Sequence, residues 1–298
     1  MARDPGRTPV SAESARAPVS AAAIVLFAGF LWSLQGLTIR LLEQATSEQT
    51  VYWRNLGQYA ALMAFVAITH RGRLMGAFNA AGPWAVVGGM CQCMSSMSVV
   101  FAFSLTTVAN VNFILSTGPF AAGLLAYLLL GERLSRVTIT AMALGAAGVG
   151  VMMLEGLSGG HLAGNALVVL TVLGFAGMTV ALRMNKGADM TPTVCWGSGF
   201  GVIAGLLLTR GAIALPAQDI ALCLAMGAIQ IGLGQVLFIL GSRHVAAGPL
   251  AFLTLSEIVL GPVWAWLGVN EVPNTLTLVG GAIVIGAIVW QTLGERRR

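Results

Sequence analysis

Two ionisable residues stand where ionisable residues are expensive. Glu257 lies about 11 residues into the apolar stretch 246–268, and Arg54 about 7 residues into the stretch 47–69, which at 1.5 Å rise per residue puts both well inside a bilayer. Charges at such depth face a bundle interior or a wet cavity, where they serve transport or ligand binding. A guanidinium there can hold a carboxylate. A carboxylate can meet a substrate ammonium or carry a proton. The competing readings are a structural ion pair, or Arg54 reaching back to the interface along its aliphatic stem.

Uncharged polar residues recur at helical spacing in the other apolar stretches. Trp32 and Gln35 are three apart, Asn112 and Ser116 four apart, Gln92 sits with Ser95 and Ser96, Gln230 precedes Gln235, and Ser256 adjoins Glu257. Residues three or four apart share a helix face, so each group can line a cavity. Amides and hydroxyls match the ammonium and carboxylate of an amino acid. They serve equally well as interhelical hydrogen bonds, worth about 0.6 kcal/mol each. Tyr52, Trp53 and Tyr59 can pack on a substrate or form an interfacial belt, and Met90, Met94 and Met97 share one face suited to an adaptable pocket or to helix packing.

Other chemistries find little support. Cys91, Cys93, Cys195 and Cys223 all fall in apolar stretches without zinc-like company, and His70, His161 and His244 lie near stretch ends. Neither disulfide nor metal is assigned. H-E-x-x-H, a compact Ser/His arrangement and the phosphate-cradling G-x-x-x-x-G-K-[ST] are all missing. The expectation is no enzyme, no cofactor and no ATP-driven step.

The elements that position these residues are ten apolar stretches: 19–39, 47–69, 82–104, 108–130, 136–154, 164–184, 191–209, 218–241, 246–268 and 276–293. Each approaches the roughly 20 residues needed to cross about 30 Å of hydrocarbon. Hydrophobic residues make up 57% and charged residues only 9%, against about 25% charged in soluble domains. The chain therefore reads as an all-α integral membrane protein. The apolar core of the first stretch is too long for a secretory signal and is expected to be retained. Residues 1–18 read as a disordered cytoplasmic tail and 294–298 as a basic one.

The net charge of +5 is a topology signal and not a nucleic-acid patch. With the N-terminus inside, Arg3, Arg7, Arg16, Arg71, Arg73, Arg133, Arg136, Arg183, Lys186, Arg243, Arg296, Arg297 and Arg298 fall on the inner side. Arg40 and Arg210 fall outside. Thirteen against two obeys the positive-inside rule and predicts both termini in the cytoplasm. The partners expected are a small-molecule substrate and the lipid bilayer; the oligomeric state stays open.

The pattern partly repeats. The fourth and fifth stretches read NFILSTGPFAAGLLAYLLLGERLSRVTITAMALGAAGVGV, the ninth and tenth AFLTLSEIVLGPVWAWLGVNEVPNTLTLVGGAIVIGAIV. Each pair joins through an acidic residue, Glu132 or Glu271, at an offset of 139, while Trp53 falls opposite Cys195 at an offset of 142. Two five-helix repeats, 19–155 and 163–293, must be inverted across the membrane because five is odd, and inverted repeats are a recurring design of secondary transporters. Gly118–Pro119 in the fourth stretch and Gly248–Pro249 with Gly261–Pro262 in the ninth mark hinges or static kinks.

These features together resemble the EamA-type drug/metabolite transporter superfamily: ten spans in two halves, Trp53-Arg54-Asn55 early in the second span, and LLLGERLS after the fourth. Within it the chain is most similar to YddG-type amino-acid exporters of bacterial inner membranes. The resemblance implies export of amino acids, including aromatic or other neutral ones, by alternating access through a central cavity. The alternatives are export of drugs or of purine or sugar derivatives, a membrane-embedded enzyme, and a passive channel. The second copy departs from the pattern, with Asn270 in place of Gly131 and no Arg after Glu271.

Overall fold

The computed structural model describes residues 19–132, 134–184, 191–242 and 247–296, all helix and connecting turns with no strand among them. Apolar sequence forces this, because a backbone in hydrocarbon must satisfy its own polar groups and helices do so within one segment. In order the helices are α1 Val19–Ser33, α2 Gln35–Arg40, α3 Ser47–Thr69, α4 Leu74–Leu105, α5 Val108–Leu115, α6 Gly118–Leu130 and α7 Arg136–Gly159. Then follow α8 Leu162–Met184, α9 Thr191–Leu208, α10 Ala217–Ala225, a π-helical segment Met226–Leu233, α11 Gly234–Ser242, α12 Ala247–Val269 and α13 Thr275–Arg296.

Eight helical stretches are long and apolar enough to cross a membrane among the described residues. Three are composite: α1 with α2, α5 with α6, and α10 through the π segment into α11. The other two expected spans differ for identifiable reasons. Helix α3 has 23 residues, but Glu48, Arg54, Asn55 and Gln58 dilute its hydropathy. Helix α12 also has 23 residues, and its apolar run is described over Glu257–Val269, the side chains before Glu257 lying outside the described residues. The span at 82–104 has a sharp start: Gly82 adopts φ 66, Pro83 opens the long helix, and Leu74–Ala81 forms a separate short helix before it, with Met75 exposed.

The bundle packs by close approach of small residues. Helix α4 lies against α8 and α9, α3 against α9 and the π segment, α1 against α11 and α12, and α7 against α13. At the α7–α13 crossing a Cβ on Gly148 would stand 2.7 Å from the Gly280 carbonyl, and one on Gly280 2.7 Å from the Gly148 carbonyl. Such contacts let backbones approach where no hydrophobic drive separates helix from lipid. The main apolar core joins Phe103, Phe113, Ile114 and Phe120 to Met152, Val284 and Ile288.

Candidate functional site

Helix α3 begins with a capping box, in which Thr46 accepts from Gln49 N–H and Gln49 accepts in return. That fixes its phase, and its buried face repeats at Val51, Arg54, Asn55, Gln58, Leu62 and Val66, the three-and-four spacing of one helix stripe. Arg54 is thereby carried inward and is 2% exposed. It does not reach for the interface. Its Nη1 donates to Gln35 Oε1 at 3.0 Å, and its Nη2 donates to the Ser96 carbonyl at 2.7 Å and to Ser96 Oγ at 2.5 Å. Ser96 Oγ in turn donates to Asn55 Oδ1 at 2.9 Å. The Arg54 Nε–H is buried with no acceptor, and no ion pair joins Arg54 to a carboxylate among the described residues.

Gln35 meets Arg54 because the first span breaks at Leu34, between α1 and α2. From the other side the π-helical segment presses Gly227 onto the Arg54 carbonyl, where a Cβ would collide. A π-helical stretch offsets the side chains beyond it, a device that recurs at functional sites. Here Gln235 Oε1 accepts from Gln58 Nε2 at 3.0 Å, and Gln230 Nε2 donates to Thr38 Oγ1 at 2.8 Å. The Gln230 Oε1 is a second buried orphan. Gln35, Arg54, Gln230 and Gln235 thus form one polar layer with Thr38, Asn55, Gln58 and Ser96.

The remaining sequence candidates lie elsewhere. Ser95 donates to the Thr171 carbonyl at 2.9 Å, and Gln92 fills the space left by Gly197. Trp32 stacks obliquely on Phe238 at 5.3 Å. Ser116 donates to the Phe113 carbonyl at 2.6 Å in the break before Gly118–Pro119, and Asn112 seats against Gly261 of α12. Glu257, one turn from Gly261, makes no hydrogen bond or ion pair among the described residues. Helix α12 runs unbroken through Gly248–Pro249 and Gly261–Pro262. The side chains of Gly248, Pro249 and Ser256 lie outside the described residues, as do Arg133, Lys186, Arg243 and His244. Met90 and Met94 are exposed on the outer face of α4, Tyr52 and Trp53 pack edge to face at 5.2 Å, and Trp53 Nε1 donates to the Ile213 carbonyl at 2.9 Å.

Two ion pairs close opposite ends of this arrangement. Gly131 and Asn270 both adopt left-handed backbone, with φ 67 and φ 55. Glu132 N–H reaches back to the Ala126 carbonyl, and Glu271 N–H to the Ala265 carbonyl. Both bonds reach six residues back across a left-handed C-terminal residue, and Asn tolerates that conformation nearly as well as Gly. The substitution at Asn270 therefore preserves the turn. Each cap delivers its glutamate to an arginine ending another helix. Arg40 Nε meets Glu271 Oε2 at 2.8 Å, and Arg183 Nη1 meets Glu132 Oε2 at 2.7 Å. The first pair is tightly held: Arg40 also donates to the Phe103 and Thr106 carbonyls, and Glu271 accepts the Val108 N–H. Its side chains are 26% and 18% exposed, against 43% and 41% in the second pair.

Residues 19–154 match the EamA-like transporter family. The match falls within the first half of the chain. The pseudopaline exporter CntI of Pseudomonas aeruginosa is 26% identical over 211 residues, covering 70% of this chain and 74% of its own. A protein of Streptantibioticus cattleyicolor named "Probable terminal-alkyne amino-acid exporter" is 27% identical over 203 residues, covering 63% and 66%. A solved crystal structure shares the fold across 94% of this chain and 99% of its own, with TM-score 0.63 and 18% identity. The EamA match and the apolar helices together make this a multi-pass membrane protein. Sequence reasoning passed over Asn55, Gln58, Thr38 and the partnership of Arg40 with Glu271. A usable signal existed for the last, since Arg40 and Arg183 end the first helical stretch of each half as Glu132 and Glu271 end the fourth.

Proposed function

We propose that the protein is a bacterial inner-membrane secondary transporter that exports amino acids by alternating access. The observation that carries this reading is the buried polar layer around Arg54, built from α2, α3, α4 and the π segment, with no carboxylate among the described residues to neutralise its cation. A purely structural core has no use for such a layer, because burying an unpaired charge costs several kcal/mol.

Inverted repeats are supported by the packing. The α4–α8 contact corresponds to that of α1 with the π segment and α11, and the α1–α12 contact to that of α6 with α8; α3–α9 and α7–α13 pair equivalent helices directly. The twin left-handed helix caps with their Arg–Glu pairs repeat the same relation at opposite ends. Arg71, Arg73, Arg136 and Arg183 at alternate helix ends support cytoplasmic termini by the positive-inside rule. Exporters among the similar proteins support the direction. In proteoliposomes, a labelled panel of neutral and aromatic amino acids is expected to show saturable flux; flux indistinguishable from empty vesicles for every member removes the amino-acid reading. A panel of purine and sugar derivatives run beside it tests the rival cargoes.

A further inference from the structure

We infer that Arg54 is the carboxylate anchor of the transport site, so that a free carboxylate is an obligatory feature of the cargo; this rests on the exporter reading above. The guanidinium presents five N–H groups in a rigid fork suited to planar anions. Its Nη1 and Nη2 are occupied by Gln35 and Ser96, all neutral acceptors, while Nε–H has none. Nε–H and Nη2–H lie along one edge of the fork. A carboxylate on that edge takes the free Nε–H and displaces Ser96 from Nη2, giving a bidentate, charge-assisted pair in place of neutral contacts.

The surroundings fit that exchange. Ser96 keeps a partner when it leaves, because its hydroxyl already donates to Asn55 Oδ1. The Gln35 contact lies on Nη1, away from the incoming anion, and holds the fork in plane. The Ser96 carbonyl and hydroxyl therefore act as a stand-in for the cargo, keeping the guanidinium solvated while the site is empty. Arg54 is 2% exposed, so an incoming carboxylate reaches it only when the helices around it part. Loading requires α4, which carries Ser96, to move relative to α3.

The test uses wild-type protein first. L-leucine is compared with L-leucinamide, which lacks the carboxylate, and with 4-methylpentanoate, which lacks the ammonium. Both flux and thermal stabilisation of the purified protein are read, with other neutral and aromatic amino-acid and amide pairs alongside. A site built to bond a polar group rejects the analogue lacking it strongly, so the amide is expected to fall at least tenfold below the acid. The des-amino acid should retain measurable binding. Arg54→Gln should bring each acid-to-amide ratio close to one, and Arg54→Lys should keep part of it. Equal handling of acid and amide by wild-type protein overturns the inference while leaving the exporter reading intact. Stabilisation by acids over amides without amino-acid flux has the opposite meaning: the anchor stands and the amino-acid reading falls. If Arg54→Gln does not fold, the wild-type pairs decide alone.

Discussion

Replacing Glu271 by Gln should unlatch one end of the molecule and leave the other unchanged. The carboxylate accepts from Arg40 Nε and from the Val108 N–H, while Arg40 also binds the Phe103 and Thr106 carbonyls. These bonds tie α2 and α12 to the α4–α5 junction. Gln keeps the shape and one acceptor oxygen but removes the charge. Hydrogen bonds to charged groups contribute about 1.5–3 kcal/mol each. The side chains are 26% and 18% exposed, so solvent screens part of this, and the net loss is about 1–3 kcal/mol. A coupling of that size corresponds to roughly a 5- to 150-fold change in the opening equilibrium. Hydrogen exchange read by mass spectrometry should then quicken by that order in peptides covering 36–44, 102–110 and 266–273 together, because one opening exposes all three. Glu132→Gln should leave those peptides unchanged, since its pair with Arg183 sits at the other end and is more exposed. If acceleration is confined to the Val108 amide, the contact is local and the latch argument fails.

Other substitutions probe different links of the chain. Gly227→Ala places a methyl group against the Arg54 carbonyl and should lower stability by about 1–3 kcal/mol through overpacking, seen as a reduced melting midpoint in detergent; Gly286→Ala, which meets open space, should not move it. Replacing Pro119 and Pro262 by Ala should slow flux yet spare substrate-induced thermal stabilisation, and unchanged flux removes any mechanical role for them. Glu257→Gln, at a carboxylate with no partner among the described residues, should abolish the response of flux to an imposed pH gradient. A variant that still responds as wild type assigns that coupling elsewhere.

Much of the helical frame was legible because hydrocarbon imposes a simple code of long apolar runs with breaks at Gly and Pro. The start of the third span at Pro83 and the break before Gly118–Pro119 follow that code, whereas the depth of Arg54 in its span leaves its direction open between inward and interfacial readings. Other features depend on pairing across the fold, which no local pattern carries. The break at Leu34 has no Pro to announce it, and the π segment has only ordinary apolar residues, glycines and Gln230. Arg40 reads as one more loop cation until Glu271, 231 residues away, is placed beside it. Asn270 reads as a departure from the repeat until its backbone shows the same left-handed turn as Gly131.

The glycine crossing of α7 and α13 constrains how the bundle can move. Gly148 and Gly280 each stand where a single added carbon would strike the other's carbonyl, so the two backbones are nearer to one another here than side chains would allow. Such a contact suits the axle of a motion, because close backbones resist parting. Displacement grows with distance from an axle, and the polar layer around Arg54 is built on other helices. Changes at the glycine pair should therefore alter how fast the bundle rearranges, while what the polar layer binds, settled on the far arm of the lever, stays the same.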